Sequence, residues 1–186
     1  MRWCKQDLCL EVVQGDITVQ KTDAIVNAAN KALAPGGGVA GAIHRAAGPK
    51  LWEECKTLGG CETGEAKVTK GYELPAAYVV HTVGPVYGQD RDSDRLLAQA
   101  YSNSLKCADQ TGLKSISFPA LSTGAFGYPL QEAADIALRT LFQDLPRMQS
   151  LRFMRMILRS TSDLEVHQEA AQRIAQEYGW QEMQEG

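Results

Sequence analysis

Val26-Asn27-Ala28-Ala29-Asn30 followed by Gly36-Gly37-Gly38-Val39-Ala40-Gly41 is the passage that decides how this chain reads. An apolar stretch ends in asparagines, three glycines follow, and a helical pattern begins at once. A second passage, Ser122-Thr123-Gly124-Ala125-Phe126-Gly127, stands between another apolar stretch and another helical pattern. Each predicts a strand closed by a turn that opens a helix. Such a turn points backbone N–H groups outward, beside the positive end of a helix dipole. Two of them facing one cleft hold a diphosphate without a lysine. Gly36, Gly37 and Gly38 allow a close backbone approach that a β-carbon would block. No Gly-Lys-Ser/Thr follows them, so this is not a Walker A loop. The first strand leads into Gly15-Asp16-Ile17-Thr18, which lacks the GxGxxG spacing of a Rossmann turn.

Working outward, residues 8–13, 24–28, 66–72, 78–83, 115–118 and 151–158 suit strands. Several are apolar on both faces, as strands buried between two helix layers are. Helical periodicity runs over 39–47, 51–58, 92–110, 130–142 and 164–178. Gly48-Pro49 separates the first two helices, and Pro129 suits the first turn of the fourth. Strands alternating with helices predict a three-layer α/β/α domain with a central mixed, largely parallel sheet. Ligands of such sheets settle at the carboxyl ends of the strands, where both glycine passages fall. No repeat or linker divides the chain, and one domain over 1–186 is expected.

Composition excludes several functions. The 186 residues carry 44% hydrophobic and 22% charged side chains, ordinary for a globular protein, with a formal net charge of −3. That charge argues against nucleic-acid partners, which need clustered Lys and Arg. Trp3, Trp52 and Trp180 are too dispersed for a stacking platform. The five cysteines (Cys4, Cys9, Cys55, Cys61, Cys107) are odd in number and lack a CxxC pair, so they read as reduced thiols in a cytoplasmic protein. His44, His81 and His167 are scattered, and no metal site is expected. No signal peptide or membrane span is seen in the sequence. With no apolar seam, a monomer is the expected state.

Individual residues admit more than one role. Asp16 suits a helix N-cap, or a carboxylate accepting from an adenine amino group. Asn27 and Asn30 suit a turn, or a carboxamide reading a ribose diol; two asparagines before a triple glycine favour the latter. His44 and His81 read as packed, hydrogen-bonded structural histidines. Cys55 and Cys107 fall in helical patterns and read as packing residues.

Together these pieces resemble the macrodomain family of ADP-ribose-binding α/β/α modules, from residue 10 to about 178. They occur in the family's order: Gly15-Asp16-Ile17-Thr18, Val26-Asn27-Ala28-Ala29-Asn30, Gly36-Gly37-Gly38-Val39, Ala42-Ile43-His44-Arg45-Ala46-Ala47-Gly48, His81-Thr82-Val83-Gly84-Pro85 and Phe118-Pro119-Ala120-Leu121-Ser122-Thr123-Gly124. Ala42 to Gly48 and His81 to Pro85 look most like the bacterial MacroD-type branch. Its members deacetylate O-acetyl-ADP-ribose and remove ADP-ribose from acidic side chains. The resemblance implies that Asp16 binds the adenine amino group beside the Ile17 amide. It implies that Asn30 holds the distal ribose, that Gly37, Gly38 and Val39 line one side of the diphosphate, and that Ser122, Thr123, Gly124, Ala125 and Phe126 wrap the other. The Phe126 ring would fix the pose of the distal ribose. Asn27, the other asparagine of that motif, is also expected in the ligand set.

On this resemblance the reaction is ester hydrolysis at the distal ribose, with Asn30, Ala40 and Phe126 at the reacting end and no cofactor. Two departures stand out. MacroD-type sequences place an aspartate, thought to orient the attacking water, where this chain has Ala40. Other macrodomains, viral ones among them, carry a similar Gly-Gly-Gly-Val-Ala-Gly loop and hydrolyse ADP-ribosyl esters, a ligand phosphate and loop amides being proposed to position the water. A non-catalytic reader of ADP-ribosylated proteins is the alternative reading. After the last long strand, where an aromatic often lies near adenine, stands Arg159, whose planar guanidinium suits stacking on a base.

Overall fold

The computed structural model describes residues 1–184. The strands are β1 (Arg2–Lys5), β2 (Leu8–Gln14), β3 (Ala24–Ala28), β4 (Ala66–Lys70), β5 (Tyr78–Thr82), β6 (Ser115–Phe118), β7 (Phe153–Leu158) and β8 (Gln181–Met183). The helices are α1 (Gly38–Ala47), α2 (Pro49–Cys55), α3 (Ser93–Gln110), α4 (Leu130–Asp144) and α5 (Thr161–Glu177). All the strands join one sheet in the order β4-β5-β3-β6-β7-β2-β1-β8. From β5 to β2 the neighbours run parallel, and β4, β1 and β8 are added antiparallel at the two edges. The sheet is mixed and largely parallel, as the alternation of elements predicts.

Both faces of the central strands are covered. Ala24, Ile25 and Val26 on β3 are fully buried, as strands between two helix layers must be. One apolar cluster joins Leu97, Tyr101 and Leu105 of α3, Ala134, Leu138 and Leu141 of α4 and Ile174 of α5 to Leu10, Val26 and Met156 of the sheet. On the opposite face, Ile43 of α1 and Leu51 of α2 pack with Ile17, Ile25, Leu33 and Val79. Gly48 ends α1 at φ +85° and Pro49 opens α2, the break its sequence announces. Ser160 caps α5 by accepting from the Asp163 N–H at 3.1 Å.

Two expectations need correction, and two strands escape the sequence reading. The strand expected to reach Tyr72 stops at Lys70, because Gly71 turns the chain. Its N–H donates to Ala77 O at 2.7 Å, and a β-carbon there would sit 2.0 Å from the Ala76 carbonyl oxygen. Edge strands β1 and β8 carry no long apolar run. β8 is exposed throughout, so no hydrophobic alternation marks it. The cysteines are not all reduced: Cys4 and Cys9 are register partners across the β1–β2 hairpin, with Cα atoms 4.2 Å apart, and they form a disulfide. A hairpin brings together residues that a CxxC search does not test. Cys55, Cys61 and Cys107 remain thiols. Among the described residues no helix is long and apolar enough to cross a membrane, and no cluster of His, Cys, Asp or Glu is arranged to hold a metal ion.

Candidate functional site

A cleft of about 420 Å³ opens at the carboxyl ends of β3 and β6. Its lining is Ala28 at the end of β3, Asn30 after it, Gly36 to Ala40 leading into α1, and Ala120, Ser122, Gly124, Ala125 and Phe126 after β6. The two glycine passages therefore face each other across one cavity. The lining has no charged side chain. Its side chains include one carboxamide, Asn30, and one aromatic ring, Phe126, while the Ser122 hydroxyl oxygen is buried. The first turn of α1 has no intrahelical partners for its N–H groups, and the helix dipole adds partial positive charge there.

The first loop is shaped by contacts that the motif alone does not reveal. The Asn30 carboxamide is clamped both ways: Nδ2 donates to Ala34 O and Oδ1 accepts from Ala34 N, each at 2.9 Å. Gly37 caps α1, and its carbonyl accepts from Gly41 N at 3.2 Å. A β-carbon on Gly41 would come within 2.2 Å of the Gly36 carbonyl oxygen, so only glycine lets the helix lie against the loop. Ala40 is buried at 5% exposure and lines the cleft.

The second loop departs from the expected strand–turn–helix. It closes on itself, Gly127 N donating to Gly124 O at 3.0 Å and Tyr128 N to Ser122 O at 2.9 Å, and α4 begins only at Leu130. Residues of the turn itself, rather than the start of α4, line the cleft. Ser122 holds φ +67°, and a β-carbon on Gly84 would meet its Oγ at 2.2 Å. The loop thus needs a glycine on the neighbouring segment, a requirement with no local signature.

Asp16 and Arg159 stand beside one another further along the same edge, at the ends of β2 and β7. Gly15 N donates to Leu158 O at 2.9 Å, and Gln14 Nε2 to Arg159 O at 3.3 Å. Asp16 performs the capping role: its Oδ1 accepts from Thr18 N at 2.9 Å and Thr18 Oγ1 at 2.7 Å. The Thr18 hydroxyl and amide hold its carboxyl below the usual aspartate range, and the Arg159 guanidinium adds to this. Ile17 turns its side chain into the core. Asp16, Ile17, Thr123 and Arg159 are not part of the cleft wall.

Asn27 corrects the sequence reading. Its side chain is fully buried and bonds His81 Nδ1 at 3.1 Å, on the face of β3 opposite Val26. Strand alternation sends Asn27 inward, and Asn30, in the loop, is the asparagine that reaches the cleft. His81 is structural as expected, with Nε2 2.9 Å from Thr69 Oγ1, and burial pushes its pKa down to about 3. His44 is buried, but neither ring nitrogen has a hydrogen-bond partner among the described residues, contrary to expectation. Burial also pushes the Cys55 thiol up to about 11, which fits a packing residue and not a nucleophile.

Comparison with known proteins agrees with this geometry. Residues 26–137 match the family model described as Macro domain. The chain is 50% identical over 165 residues to a macro domain-containing protein of Chlorobaculum tepidum, covering 88% of this chain and 96% of that one. It is 50% identical over 153 residues to the ADP-ribose glycohydrolase MACROD2 of Xenopus laevis, covering 77% of this chain and 35% of that longer protein. Among solved structures, a mutant Oceanobacillus iheyensis macrodomain with ADPR superposes with a TM-score of 0.91 at 41% identity, covering 95% of this chain and 98% of the other.

Proposed function

The chain belongs to the Macro domain family, and from that premise we propose that it binds ADP-ribose and hydrolyses the ester at the distal ribose, in O-acetyl-ADP-ribose or in mono-ADP-ribosylated Asp and Glu side chains. One observation carries the reading. Two amide-bearing loops face each other across a cleft without a charged side chain, which suits a diphosphate held by backbone dipoles. The naming of a relative as an ADP-ribose glycohydrolase supports the catalytic half.

In this reading Gly37, Gly38 and Val39 lie on one side of the diphosphate, and Ser122 to Phe126 on the other. The clamped Asn30 carboxamide meets the distal ribose, and the Phe126 ring packs against that sugar. Asp16 and the Ile17 amide read adenine, with Arg159 stacked on its face. Ala40 supplies no base, so the attacking water is oriented by loop amides and by the substrate's own phosphate, and the same amides offset charge developing on the ester. A missing general base costs about 10²–10⁴-fold in rate and leaves binding intact.

Ala40 is also the observation that favours the second reading, a reader that binds ADP-ribosylated proteins without cleaving them. Incubation with a mono-ADP-ribosylated glutamate substrate separates the two. Release of ADP-ribose above a no-enzyme control, abolished in Asn30→Ala, is the expected result. Tight binding with no release would assign the reader role, and no binding of ADP-ribose at millimolar concentration would overturn both.

A further inference from the structure

The second loop is anchored at its two ends by different parts of the molecule. At the Ser122 end, Leu121 N donates to the buried Tyr101 hydroxyl at 2.9 Å, and Gly84 lies against Ser122 Oγ. The Phe126 end is held by the connection between β5 and α3. Tyr87 N donates to Phe126 O at 2.9 Å. The Tyr87 ring lies on the Tyr128 ring, with centroids 4.9 Å apart and planes at 57°. Tyr128 is itself buried, and its hydroxyl donates to Asp94 in the first turn of α3. The connection is stiffened from within, Val86 N donating to Asp90 Oδ2 and Ser93 Oγ to Asp90 O, both at 2.7 Å.

Tyr87 remains 45% exposed, so burial of its own surface does not account for an aromatic here. Its contacts run to the turn that carries Phe126. We propose that Tyr87 is a positioning residue: acting through Tyr128 and Asp94, it fixes the Phe126 end of the second loop, and so the pose of the distal ribose, without carrying the grip on the diphosphate. The inference rests on the hydrolytic reading of the cleft. Because the Ser122 end has its own anchors, loosening Tyr87 is expected to act on turnover far more than on affinity. An error of an ångström in the pose of a reacting group costs up to about 10²-fold in rate.

The test compares Tyr87→Ala, Tyr87→Phe and the wild-type protein. Tyr87→Ala is expected to lower kcat for ADP-ribose release roughly tenfold while the Kd for ADP-ribose stays within about twofold. Tyr87→Phe keeps the ring and is expected to restore kcat. Amide hydrogen exchange of the ligand-free proteins is a readout independent of activity. Exchange at Tyr87, Gly127 and Tyr128 is expected to quicken in Tyr87→Ala, with the amides of β3 and β6 unchanged. Should Tyr87→Ala fail to fold, Tyr128→Phe, which removes only the hydroxyl bonded to Asp94, is expected to give the same split. Unchanged exchange, unchanged kcat, or equal losses in kcat and affinity would each overturn the proposal. If the wild-type protein releases no ADP-ribose, the hydrolytic reading fails and the proposal falls with it; quickened exchange would then show only that the loop is braced by Tyr87.

Discussion

Ala40 puts one methyl group in the cleft wall, where the proposed reaction would place the attacking water, and its replacement is the sharpest test at the residue scale. An Ala40→Asp carboxylate would stand in the first turn of α1, where the helix dipole favours negative charge and tolerates the change. Release of ADP-ribose from a glutamyl ester is expected to rise by about 10²-fold or more, followed in the same assay as the wild-type protein. An unchanged rate would mean that the substrate phosphate already does the work of a base. Gly41 offers a second test. In Gly41→Ala the new β-carbon meets the Gly36 carbonyl oxygen at 2.2 Å, and backbone must move to admit it. The expected result is a loss of ADP-ribose affinity of tenfold or more by calorimetry, with the helical signal retained. An affinity within twofold of wild type would show that the loop is not held by this contact. These residues also show what a sequence conveys. Asn30 and Gly36 to Ala40 are legible because they lie close together in the sequence and a helix begins behind them. Asn27 is not, because a strand buried on both faces gives no parity signal to say which asparagine points inward. Gly84 matters through an atom of distant Ser122 and Gly41 through the backbone fold of its own loop, and no spacing rule reports either.

Among the elements, the parallel strands, the edge strand β4 and the long helices were legible, and the edge strands β1 and β8 were not. β3, β5 and β7 are largely buried because helices cover them, whereas β1 and β8 pair at an edge and carry polar residues. The β1–β2 hairpin also holds the disulfide, on the far side of β2 and β7 from the cleft. Closing so short a loop restricts the unfolded chain by about 2 kcal/mol in the chain-entropy account. Cys4→Ser is therefore expected to lower unfolding stability by about that amount in urea titrations, with ADP-ribose affinity unchanged. A change in affinity would mean that the hairpin communicates with the cleft. The loops after β2 and β7 carry a separate prediction. Arg159 stands beside Asp16 at the adenine end of the proposed ligand, and planar stacking on a base is worth about 1–2 kcal/mol. Arg159→Ala is expected to weaken ADP-ribose binding by roughly tenfold in calorimetry. Unchanged affinity would return Arg159 to the role of a solvated charge at a strand end.

The whole molecule buries each of its three histidines, and this gives its stability a direction with pH. His81 lies within the sheet at 0% exposure, His167 in α5 at 1% and His44 in α1 at 6%. Burial lowers all three pKa values, His81 to about 3. The unfolded chain titrates its histidines near pH 6.5. Below that pH the unfolded state binds protons that the folded state refuses, so ΔG of unfolding falls as pH falls. For each histidine that stays neutral the limiting slope is about 1.4 kcal/mol per pH unit. Carboxylates held low in the fold, such as Asp16 beside Thr18, join only below about pH 4. Loss of stability between pH 6.5 and 4.5 therefore belongs to the histidines. Urea midpoints measured at pH 7.5, 6.0 and 5.0 are expected to decline in that order. His81→Gln can still hydrogen-bond toward Asn27 and Thr69 but cannot take up a proton, so its decline is expected to be shallower even if its midpoint at pH 7.5 is lower. A flat wild-type profile from pH 7.5 to 5.0 would show that the sheet interior admits a charged His81, and the packing of β3 against β5 and α1 described above would then be wrong at its centre.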